Sequence, residues 1–397
     1  MAILAVNAGS SSLKFSLHPH QDGVVMPSVL TGNIEGLEPQ GSPVMRWTTL
    51  AGSQTQALNK TSSDPFQLAL QSLRDLLNSL PDFPALRAVA HRVVHGGADF
   101  SDSVWVTDQI LKQLEKLNSL APLHQPHNIA GIRAFMQAFP VVPQVACFDT
   151  AFHATAPSLH QTFALPAQLR QQGVRRYGFH GLSYQYIMSV LEEHSTQAHE
   201  RVLMAHLGNG ASLCAAHEGK SLASTMGFSA LDGLMMGTRA GNLDPGVVLY
   251  LLEQGWNHDQ LQTLLYKQSG LLGVSGVSAD MRKLRAESSH AAQEAIALFT
   301  HRVVRESGAM VACMEGLDVL AFSGGIGEHD AVLRSQVCKK LRWLGVVLDE
   351  EKNQVAVGSE IKPVHSPESN VEIWVIPTDE GRVAAREAAT LLSKKLF

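Results

Sequence analysis

Cysteines are few in this sequence and lie far apart. Cys147, Cys214, Cys313 and Cys338 form no CxxC pair, which argues against a disulfide framework or a zinc site. The net charge of -5 gives no general basic field for nucleic acid, so any bound anion would need individually placed cations. No apolar run is long enough to span a membrane, and no positively charged leader precedes the first predicted strand. We therefore expect a soluble, cytoplasmic protein.

The length and composition indicate a globular chain with more than one core. Hydrophobic residues make up 45% of the 397 residues and charged ones 17%, a profile that excludes disordered and fibrous classes. A chain of this length exceeds the size at which single cores usually stop growing. Because the strand pattern starts again near residue 150, we expect two domains that meet there.

The first hairpin of the chain ends in a polar tip. Residues 3–6 are apolar, and the alternation that begins at Leu13 is typical of a half-buried strand. Gly9 permits a tight turn, where hydroxyls and backbone N–H groups converge, and Lys14 lies on the face opposite the apolar side chains. Such a concavity suits a phosphate, although an ordinary serine-rich turn is the alternative. The GxxxxGK[ST] order of a Walker loop is absent.

Two charged side chains are predicted at strand ends. Arg92 falls at the polar end of a strand that runs into a double-glycine turn, and an edge-strand arginine in solvent is the alternative. Asp149 falls where the next buried strand ends, the position at which α/β sites are built. His91 and His95 do not suggest a metal site, because a strand holds them apart and no acidic residue lies between them.

The helices and loops of the first half are less informative. Asp64 is predicted to begin a helix, with a proline in its first turn. A second helix is predicted over residues 107–120. Residues 121–128 read as a loop with two prolines and two histidines, either a positioned surface or a plain connector.

Two further glycine-rich turns follow buried strands. Residues 208–210 join two strands in a unit that echoes the first hairpin, and residues 323–328 form a glycine turn between a strand and a helix. In the second context, backbone N–H groups and a helix N-terminus can receive a phosphate or its nucleoside. Each turn alone is consistent with a plain hairpin or helix entry. Three such turns favour a nucleotide site.

The remaining segments complete the prediction. Residues 226–239 are punctuated by glycine and end at Arg239, which is typical of a mobile active-site loop, with a long surface loop as the alternative. A polar helix is predicted from about Asp280 and a long amphipathic helix over residues 290–314. The last predicted helix starts at Asp379.

Five short stretches, in this order, resemble the motifs of the acetate kinase family, in the acetate and sugar kinase, Hsp70 and actin superfamily. They are residues 6–14, 178–181, 206–210, 233–239 and 324–328. The resemblance implies an α/β fold of two duplicated ribonuclease-H-like, actin-like ATPase domains with ATP and Mg²⁺ in an interdomain cleft. It also implies an N-terminal domain, 1–150, completed by a helix at about 379–397, a nucleotide-binding domain, 151–378, and a homodimer.

The resemblance also implies roles for individual residues. The implied catalytic centre is Asp149, His180 and Arg239. The implied ligands of Mg²⁺, or of Mn²⁺ as an alternative, are Asn7 and Glu380. The phosphate loop contains Ser10 and Ser12. The implied contacts to the carboxylate substrate are Arg92, Val94, Leu123, Phe179 and Ala230. The implied nucleotide-binding residues are Lys14, His206, Leu207, Gly208, Asn209, Gly210, Asp280, Met281, Arg282, Gly324, Gly325, Ile326, Gly327 and Glu328.

Several positions depart from the family pattern. Gln125 stands where asparagine is usual, and Asp379 and Gly381 flank Glu380 where asparagine and glutamate are usual. These changes leave the metal-binding glutamate itself in place. Ala230 replaces a proline that helps to wall the pocket for the acetate methyl group, so this change bears on substrate choice.

The implied reaction transfers the γ-phosphoryl group of ATP to acetate, directly and reversibly, giving acetyl phosphate and ADP. A carboxylate nucleophile is already ionised near pH 7 and needs no general base, so we expect Asp149 to orient Arg92 or a metal-bound water. A propionate kinase or a broad short-chain carboxylate kinase is the alternative within this class. An actin-like or Hsp70-like switch with no acyl substrate is the alternative from another class, and it would not need Arg92, His180 and Arg239 together.

Overall fold

The computed structural model describes residues 1–38, 40–58, 64–80, 84–122 and 124–394. The chain divides into two compact units, the first made of Met1–Ala151 and Asp379–Phe397 and the second of Phe152–Thr378. The boundary predicted from the sequence lies one residue before the first of these transitions. Among the described residues, no helix combines the length and apolar character needed to cross a membrane.

The first unit contains most of the strands. They are β1 (Ala2–Ala8), β2 (Ser12–Gln21), β3 (Val24–Val25), β4 (Leu30–Glu35), β5 (Val44–Thr49), β6 (Gly52–Ala57), β7 (Leu86–Val93), β8 (Val104–Trp105) and β9 (Gln144–Phe148). Its helices are α1 (Pro65–Ser79), α2 (Asp108–Glu115), α3 (Gln125–Ala138) and, at the end of the chain, α15 (Glu380–Lys394).

The second unit contains most of the helices. Its strands are β10 (Val202–Leu207), β11 (Ala211–His217), β12 (Lys220–Ser224), β13 (Val319–Ser323), β14 (Lys362–Pro363) and β15 (Glu372–Val375). Its first helices are α4 (Ser158–Gln161), α5 (Ala167–Gln171), α6 (Gly181–His194), α7 (Pro245–Glu253), α8 (His258–Lys267) and α9 (Gly270–Ser275). The others are α10 (Met281–Ala286), α11 (His290–Met314), α12 (Gly324–His329), α13 (Ala331–Lys340) and α14 (Glu350–Val355). Short 3₁₀ helices cover Ala151–Thr155 and Arg342–Leu344.

The same strand pattern occurs in both units. In the parts of the chain that the structure describes, the first sheet has nine strands in the order β6-β5-β4-β2-β1-β7-β9-β8, with β3 on β2, and the second has six in the order β12-β11-β10-β13-β15-β14. Each contains an antiparallel hairpin, two strands parallel to its first strand and a final antiparallel strand. The repeat confirms the predicted duplication.

The face of β2 that was predicted to be polar is partly covered. Ser16 is buried because α15 packs against β1, β2 and β7. Its Oγ lies 2.8 Å from His18 Nε2, and a Cβ at position 381 would collide with this hydroxyl. Gly381 therefore fits the close approach of α15 to the sheet, which gives a packing reason for its departure from the family pattern.

Several predicted boundaries were wrong. The helix predicted over 107–120 ends at Glu115, and the second half of the predicted loop at 121–128 is the start of α3. Pro126 does not break this helix, because the first turn needs no backbone donor. The glycine turn at 323–328 is itself the short helix α12. Residues 226–239 lack helix and strand as predicted, but the middle of this segment is buried at Leu234, Met235 and Met236, and its mobility stays a prediction.

Candidate active site

Three adjacent strands of the first unit bring polar side chains to one edge of the sheet. β1, β7 and β9 are parallel neighbours, so their carboxyl ends lie at the same edge. Asn7 lies at the end of β1, Arg92 lies near the end of β7, and Asp149 directly follows β9. The prediction that Asp149 falls at a strand end is confirmed.

Arg92 and Asp149 form a bidentate ion pair. Arg92 Nε donates to Asp149 Oδ1 at 3.0 Å, and Nη2 donates to Oδ2 at 2.6 Å. Glu380 Oε2 lies 3.4 Å from Arg92 Nε. Burial alone would lower the pKa of Arg92, but attraction to Asp149 and Glu380 outweighs it, so the pKa is raised. Because Asp149 is 1% exposed and Arg92 is 21% exposed, a buried carboxylate orients a cation that solvent still reaches.

Asn128 connects the ends of two of these strands and was missed by the sequence analysis. Its Nδ2 donates to the carbonyl of Ala8 at 2.8 Å, and its Oδ1 accepts from the N–H of Val94 at 3.0 Å. Gln125, three residues earlier on α3, donates from Nε2 to the His95 carbonyl at 2.9 Å. Two amides three residues apart lie on one face of a helix, so Gln125 and Asn128 could have been recognised as a pair. They were missed because α3 was not predicted.

The tip of the first hairpin has the predicted form. The N–H of Gly9 donates to the carbonyl of Ser12 at 2.9 Å, which closes the turn. Ser10 and Lys14 are exposed and Ser12 is half-buried, so a cation and two hydroxyls are accessible to an anion. Phosphate binding at this tip stays a prediction.

In the second unit, His180 has a backbone conformation that few non-glycine residues adopt. It precedes α6 with φ 60° and ψ 24°, in the left-handed region. His153 supports this turn: its Nε2 donates to the carbonyl of Phe179 at 2.9 Å, and its Nδ1 accepts from Ser221 at 2.8 Å. Burial lowers the pKa of His153 to about 4, so the ring is neutral, and the carbonyl acceptor places its one proton on Nε2. Nothing in the sequence pattern identified His153.

A chain of contacts joins His180 to the segments predicted to bind nucleotide. Its ring stacks on that of His206, with centroids 4.3 Å apart. His206 Nδ1 lies 2.8 Å from Ser183 Oγ, which accepts from the Thr378 hydroxyl at 3.0 Å. The backbone N–H of Thr378 donates to Glu328 Oε1 at 3.2 Å. These contacts connect α6, β10 and α12.

Arg239 and His180 converge on Gly210. A Cβ at position 210 would lie 2.7 Å from Arg239 Nη2 and 3.3 Å from His180 Nε2, so a side chain there would fill the space beside both groups. Arg239 also donates from Nη1 to the carbonyl of Ala230 at 2.8 Å. Two nitrogens at a glycine turn, one of them on a guanidinium cation, are suited to an anion with several oxygens.

Some of the other predicted nucleotide-binding residues lie in a hydrogen-bonded turn, and others have buried side chains. The turn at Gly208 and Asn209 is held by bonds from Gly208 N to Gly210 O and from Gly237 N to Asn209 O, both 3.0 Å. The side chains of Leu207 and Met281 are buried, so their backbone groups are the parts available to a ligand, and their role in nucleotide binding stays a prediction. Asp280 begins α10 by accepting from the N–H of Arg282 at 2.9 Å.

The predicted substrate contacts are divided between the units. Val94 belongs to the first unit, and Phe179 and Ala230 belong to the second. Val94 and Phe179 are buried and Ala230 is half-buried. Leu123 lies outside the described residues.

Residues 2–386 match the Acetokinase family. The chain belongs to this family. It is 47% identical to an acetate kinase of Rhodopseudomonas palustris over 391 residues. These residues cover 97% of this chain and 96% of that protein.

Two crystal structures have the same fold as this chain. An acetate kinase of Porphyromonas gingivalis matches with a TM-score of 0.86 and 35% identity over 98% of this chain and 99% of that one. A propionate kinase of Francisella tularensis matches with a TM-score of 0.88 and 38% identity over 97% of this chain and 98% of that one. The predicted kinase class and actin-like ATPase fold are thereby confirmed.

The oxygen donors of this acetokinase fit a magnesium ion. Asn7 and Glu380 are both half-buried, and Asn7 follows the residue paired with His91, so it lies next to Arg92, which contacts Glu380. One amide and one carboxylate suit a hard ion that keeps several waters and takes its other ligands from phosphates. No cluster of three or more His, Cys, Asp and Glu side chains that could hold a metal ion occurs among the described residues.

Proposed function

We propose that this acetokinase transfers the γ-phosphoryl group of ATP to acetate, reversibly and by direct in-line attack, giving acetyl phosphate and ADP. The observation that carries the proposal is the cation of Arg92, fixed in orientation by both oxygens of the buried Asp149. An anionic nucleophile that approaches a polyanion needs such a cation more than it needs a base. ATP is a cytoplasmic co-substrate, so we expect the enzyme to act in the cytoplasm.

In the first unit, Arg92 binds the carboxylate and keeps it in place for attack. Asp149 does not act as a base, since both its oxygens accept from Arg92 and acetate is already ionised near pH 7. Asn7 and Glu380 would hold Mg²⁺, which when bound neutralises charge on the phosphate oxygens. Ser10, Ser12 and Lys14 bind phosphate oxygens at the hairpin tip.

In the second unit, His180 and Arg239 stabilise the phosphoryl group during transfer. Their nitrogens converge at Gly210, so both can donate to oxygens of one anion. The nucleotide is bound by residues 206–210, 280–282 and 324–328. Backbone N–H groups at the start of α12, directly after β13, suit its phosphates or ribose.

A hydroxamate assay for acyl phosphate tests this function. With ATP, Mg²⁺ and a panel of short carboxylates, we expect a hydroxamate product with acetate and with propionate. An actin-like or Hsp70-like switch would hydrolyse ATP slowly and give no hydroxamate with any acid. Absence of product across the panel, with ATP bound, would refute the proposal.

Glu380→Ala is expected to raise the Mg²⁺ concentration that gives half-maximal activity by roughly tenfold or more. Residues that only hydrogen-bond to a metal ligand already contribute about 10- to 100-fold to metal affinity, and a direct ligand should contribute at least as much. Asn7→Ala is expected to act in the same direction. The measurement is activity against Mg²⁺ concentration at saturating ATP and acetate.

Glu380→Gln, which keeps an oxygen donor, is the matched variant and should lie between the parent and Glu380→Ala. The alternative role of Glu380 is to stabilise α15, because a negative charge in the first turn of a helix interacts favourably with the helix dipole. If the curves of parent and Glu380→Ala superimpose, Glu380 is only a helix-start residue.

Propionate is expected to be used with a kcat/KM within about 10-fold of that for acetate, because Ala230 removes ring carbons from the wall of the pocket and one methylene rarely contributes more than about 1–3 kcal/mol. Ala230→Pro should shift the ratio towards acetate. Proline keeps the carbonyl that accepts from Arg239, so this contact survives the change.

Ala230→Val is the matched control, because it adds carbon without fixing the backbone. A shift with both variants indicates lost volume, and a shift with proline alone indicates backbone restriction. An unaltered propionate-to-acetate ratio in both variants contradicts the pocket argument and leaves the kinase assignment in place.

We also propose that the enzyme is a homodimer, through the apolar helix α7. None of the residues of this helix is buried, although most are apolar, and Leu249 is 61% exposed and Tyr250 58%. A second copy of the same helix is a self-complementary partner in a twofold contact.

Leu249→Asp is expected to convert the dimer to a monomer, measured as mass by light scattering after size-exclusion chromatography. Val141→Asp is the control, since Val141 is an exposed apolar residue of the other unit. A parent that is already monomeric, or a Leu249→Asp variant that stays dimeric, contradicts the assignment of α7.

A further inference from the structure

Two buried hydroxyls lie behind the ring of His180. Ser212 and Tyr184 are both 0% exposed. Ser212 Oγ is 2.8 Å from His180 Nδ1 and is also hydrogen-bonded to the Tyr184 hydroxyl. His180 and Tyr184 are four residues apart at the start of α6, so they lie on one face, and Ser212 pairs with His206 across the hairpin of β10 and β11.

The direction of the hydroxyl protons follows from burial and from the acceptor that each hydroxyl can reach. Burial raises the pKa of Tyr184 well above its ordinary value, so the hydroxyl keeps its proton. Ser212 Oγ is the acceptor within hydrogen-bonding distance of this proton. The Tyr184 proton therefore points to Ser212 Oγ, and the Ser212 proton is directed to His180 Nδ1.

We propose that Tyr184 and Ser212 are positioning residues that hold His180 as the neutral tautomer protonated at Nε2, with this N–H as a fixed donor to the transferring phosphoryl group. Nε2 is the ring nitrogen on the Gly210 side, beside Arg239 Nη2. The inference rests on the proposed function for its kinetic consequences. The tautomer itself does not depend on it.

The opposite arrangement makes a different demand on the buried hydroxyls. If Nδ1 carried the proton, it would donate to Ser212 Oγ. The Ser212 hydroxyl would then need an acceptor other than His180 for its own proton. Tyr184 could not accept it, because its own proton would then lose Ser212 Oγ as acceptor. When Tyr184 donates to Ser212 and Ser212 donates to His180 Nδ1, both hydroxyl protons have an acceptor.

Tyr184→Phe is the primary variant, because it keeps the ring that packs 5.7 Å from His153 and 6.3 Å from Phe152, measured between centroids. Loss of one hydrogen bond in the row is expected to lower kcat about tenfold while KM for ATP and for acetate changes less than about twofold. Ser212→Ala should lower kcat further, because it removes the group that contacts His180.

The double variant distinguishes a relay from two separate packing effects. Because Tyr184 acts only through Ser212, Tyr184→Phe combined with Ser212→Ala should be no slower than Ser212→Ala alone. A double variant whose loss is the product of the two single losses overturns the relay. So does an unchanged kcat in Tyr184→Phe.

Two matched controls remove similar hydroxyls elsewhere in the same unit. Tyr177→Phe removes a hydroxyl that donates to the Gly173 carbonyl at 2.7 Å, and Ser307→Ala removes a buried hydroxyl that donates to the Val303 carbonyl at 2.8 Å. Both are expected to keep kcat within about twofold of the parent. Losses as large as that of Tyr184→Phe would show that any hydroxyl deletion in this unit slows the enzyme, which overturns the specific role.

The tautomer is measured by ¹⁵N NMR of protein labelled at histidine, with the His180 signals assigned by their absence in His180→Asn. In the parent we expect an unprotonated Nδ1 and a protonated Nε2, and in Tyr184→Phe a shift towards a mixture of tautomers. A protonated Nδ1 in the parent overturns the inference. This readout needs no turnover, so a chain that makes no acyl phosphate refutes the proposed function while the spectrum still decides the tautomer.

Discussion

Arg239→Ala is expected to lower kcat by on the order of 10³-fold or more while the affinity for ATP changes little. Its guanidinium lies beside Gly210, together with Nε2 of His180, and is held by the carbonyl of Ala230. A cation fixed in this way contributes most when charge spreads over the equatorial oxygens of the transferring group, so its loss affects the chemical step more than binding.

Steady-state kinetics and a separate ATP-binding measurement test this expectation. Arg239→Lys should recover only part of the activity, because an ammonium group lacks the planar fork. Arg305→Ala, which removes an exposed arginine paired with Glu306, is the control and should leave kcat unchanged. A loss of tenfold or less in Arg239→Ala, or a parallel loss of ATP affinity, would refute the assigned role.

Asp149→Asn is expected to lower kcat/KM for acetate by about 10²-fold, the scale of a misplaced reacting group. The variant keeps the size of the side chain but removes the charge that orients Arg92 through two hydrogen bonds. Glu380, 3.4 Å from Nε, would then become the main carboxylate partner of Arg92 and pull the guanidinium towards α15.

Two comparisons separate orientation from proton transfer in Asp149→Asn. The shape of the pH–rate profile should stay that of the parent, because acetate needs no base. Disappearance of the acidic limb, where activity falls at low pH, would instead indicate that Asp149 accepts a proton. The double variant with Arg92→Ala should be no slower than Arg92→Ala alone, since Asp149 acts through Arg92. A further loss in the double variant contradicts the orienting role.

The first hairpin, the strand that ends at Asp149 and the hairpin at residues 208–210 could be predicted because their information is local. Apolar runs, alternation and glycine turns specify such elements within ten or fifteen residues. Since parallel strands end at a common edge, the position of Asp149 in a site followed from its place in the chain.

The supporting residues could not be predicted because their partners are distant in the sequence. Asn128 donates to the carbonyl of Ala8, and His153 donates to the carbonyl of Phe179 through a ring that burial keeps neutral. Ser16 lies on the same face of β2 as Lys14, yet it is buried because α15, from the other end of the chain, packs against this strand. Each case depends on tertiary packing, which periodicity does not contain.

The start of α3 shows a different limit. Two prolines around Leu123 favoured a loop, yet a proline in the first turn of a helix costs no hydrogen bond, so the same residues are compatible with both structures. Missing this helix also hid the pair of buried amides at Gln125 and Asn128.

The central claim is that an oxygen of a short carboxylate attacks the γ-phosphorus of ATP. Incubating the enzyme with ATP, Mg²⁺ and ¹⁸O-labelled acetate and following the reaction by ³¹P NMR tests it directly. We expect an acetyl phosphate signal displaced by one ¹⁸O bound to phosphorus, together with an equal amount of ADP. Unlabelled inorganic phosphate and ADP without acetyl phosphate would contradict the account, because ATP would then be hydrolysed by water.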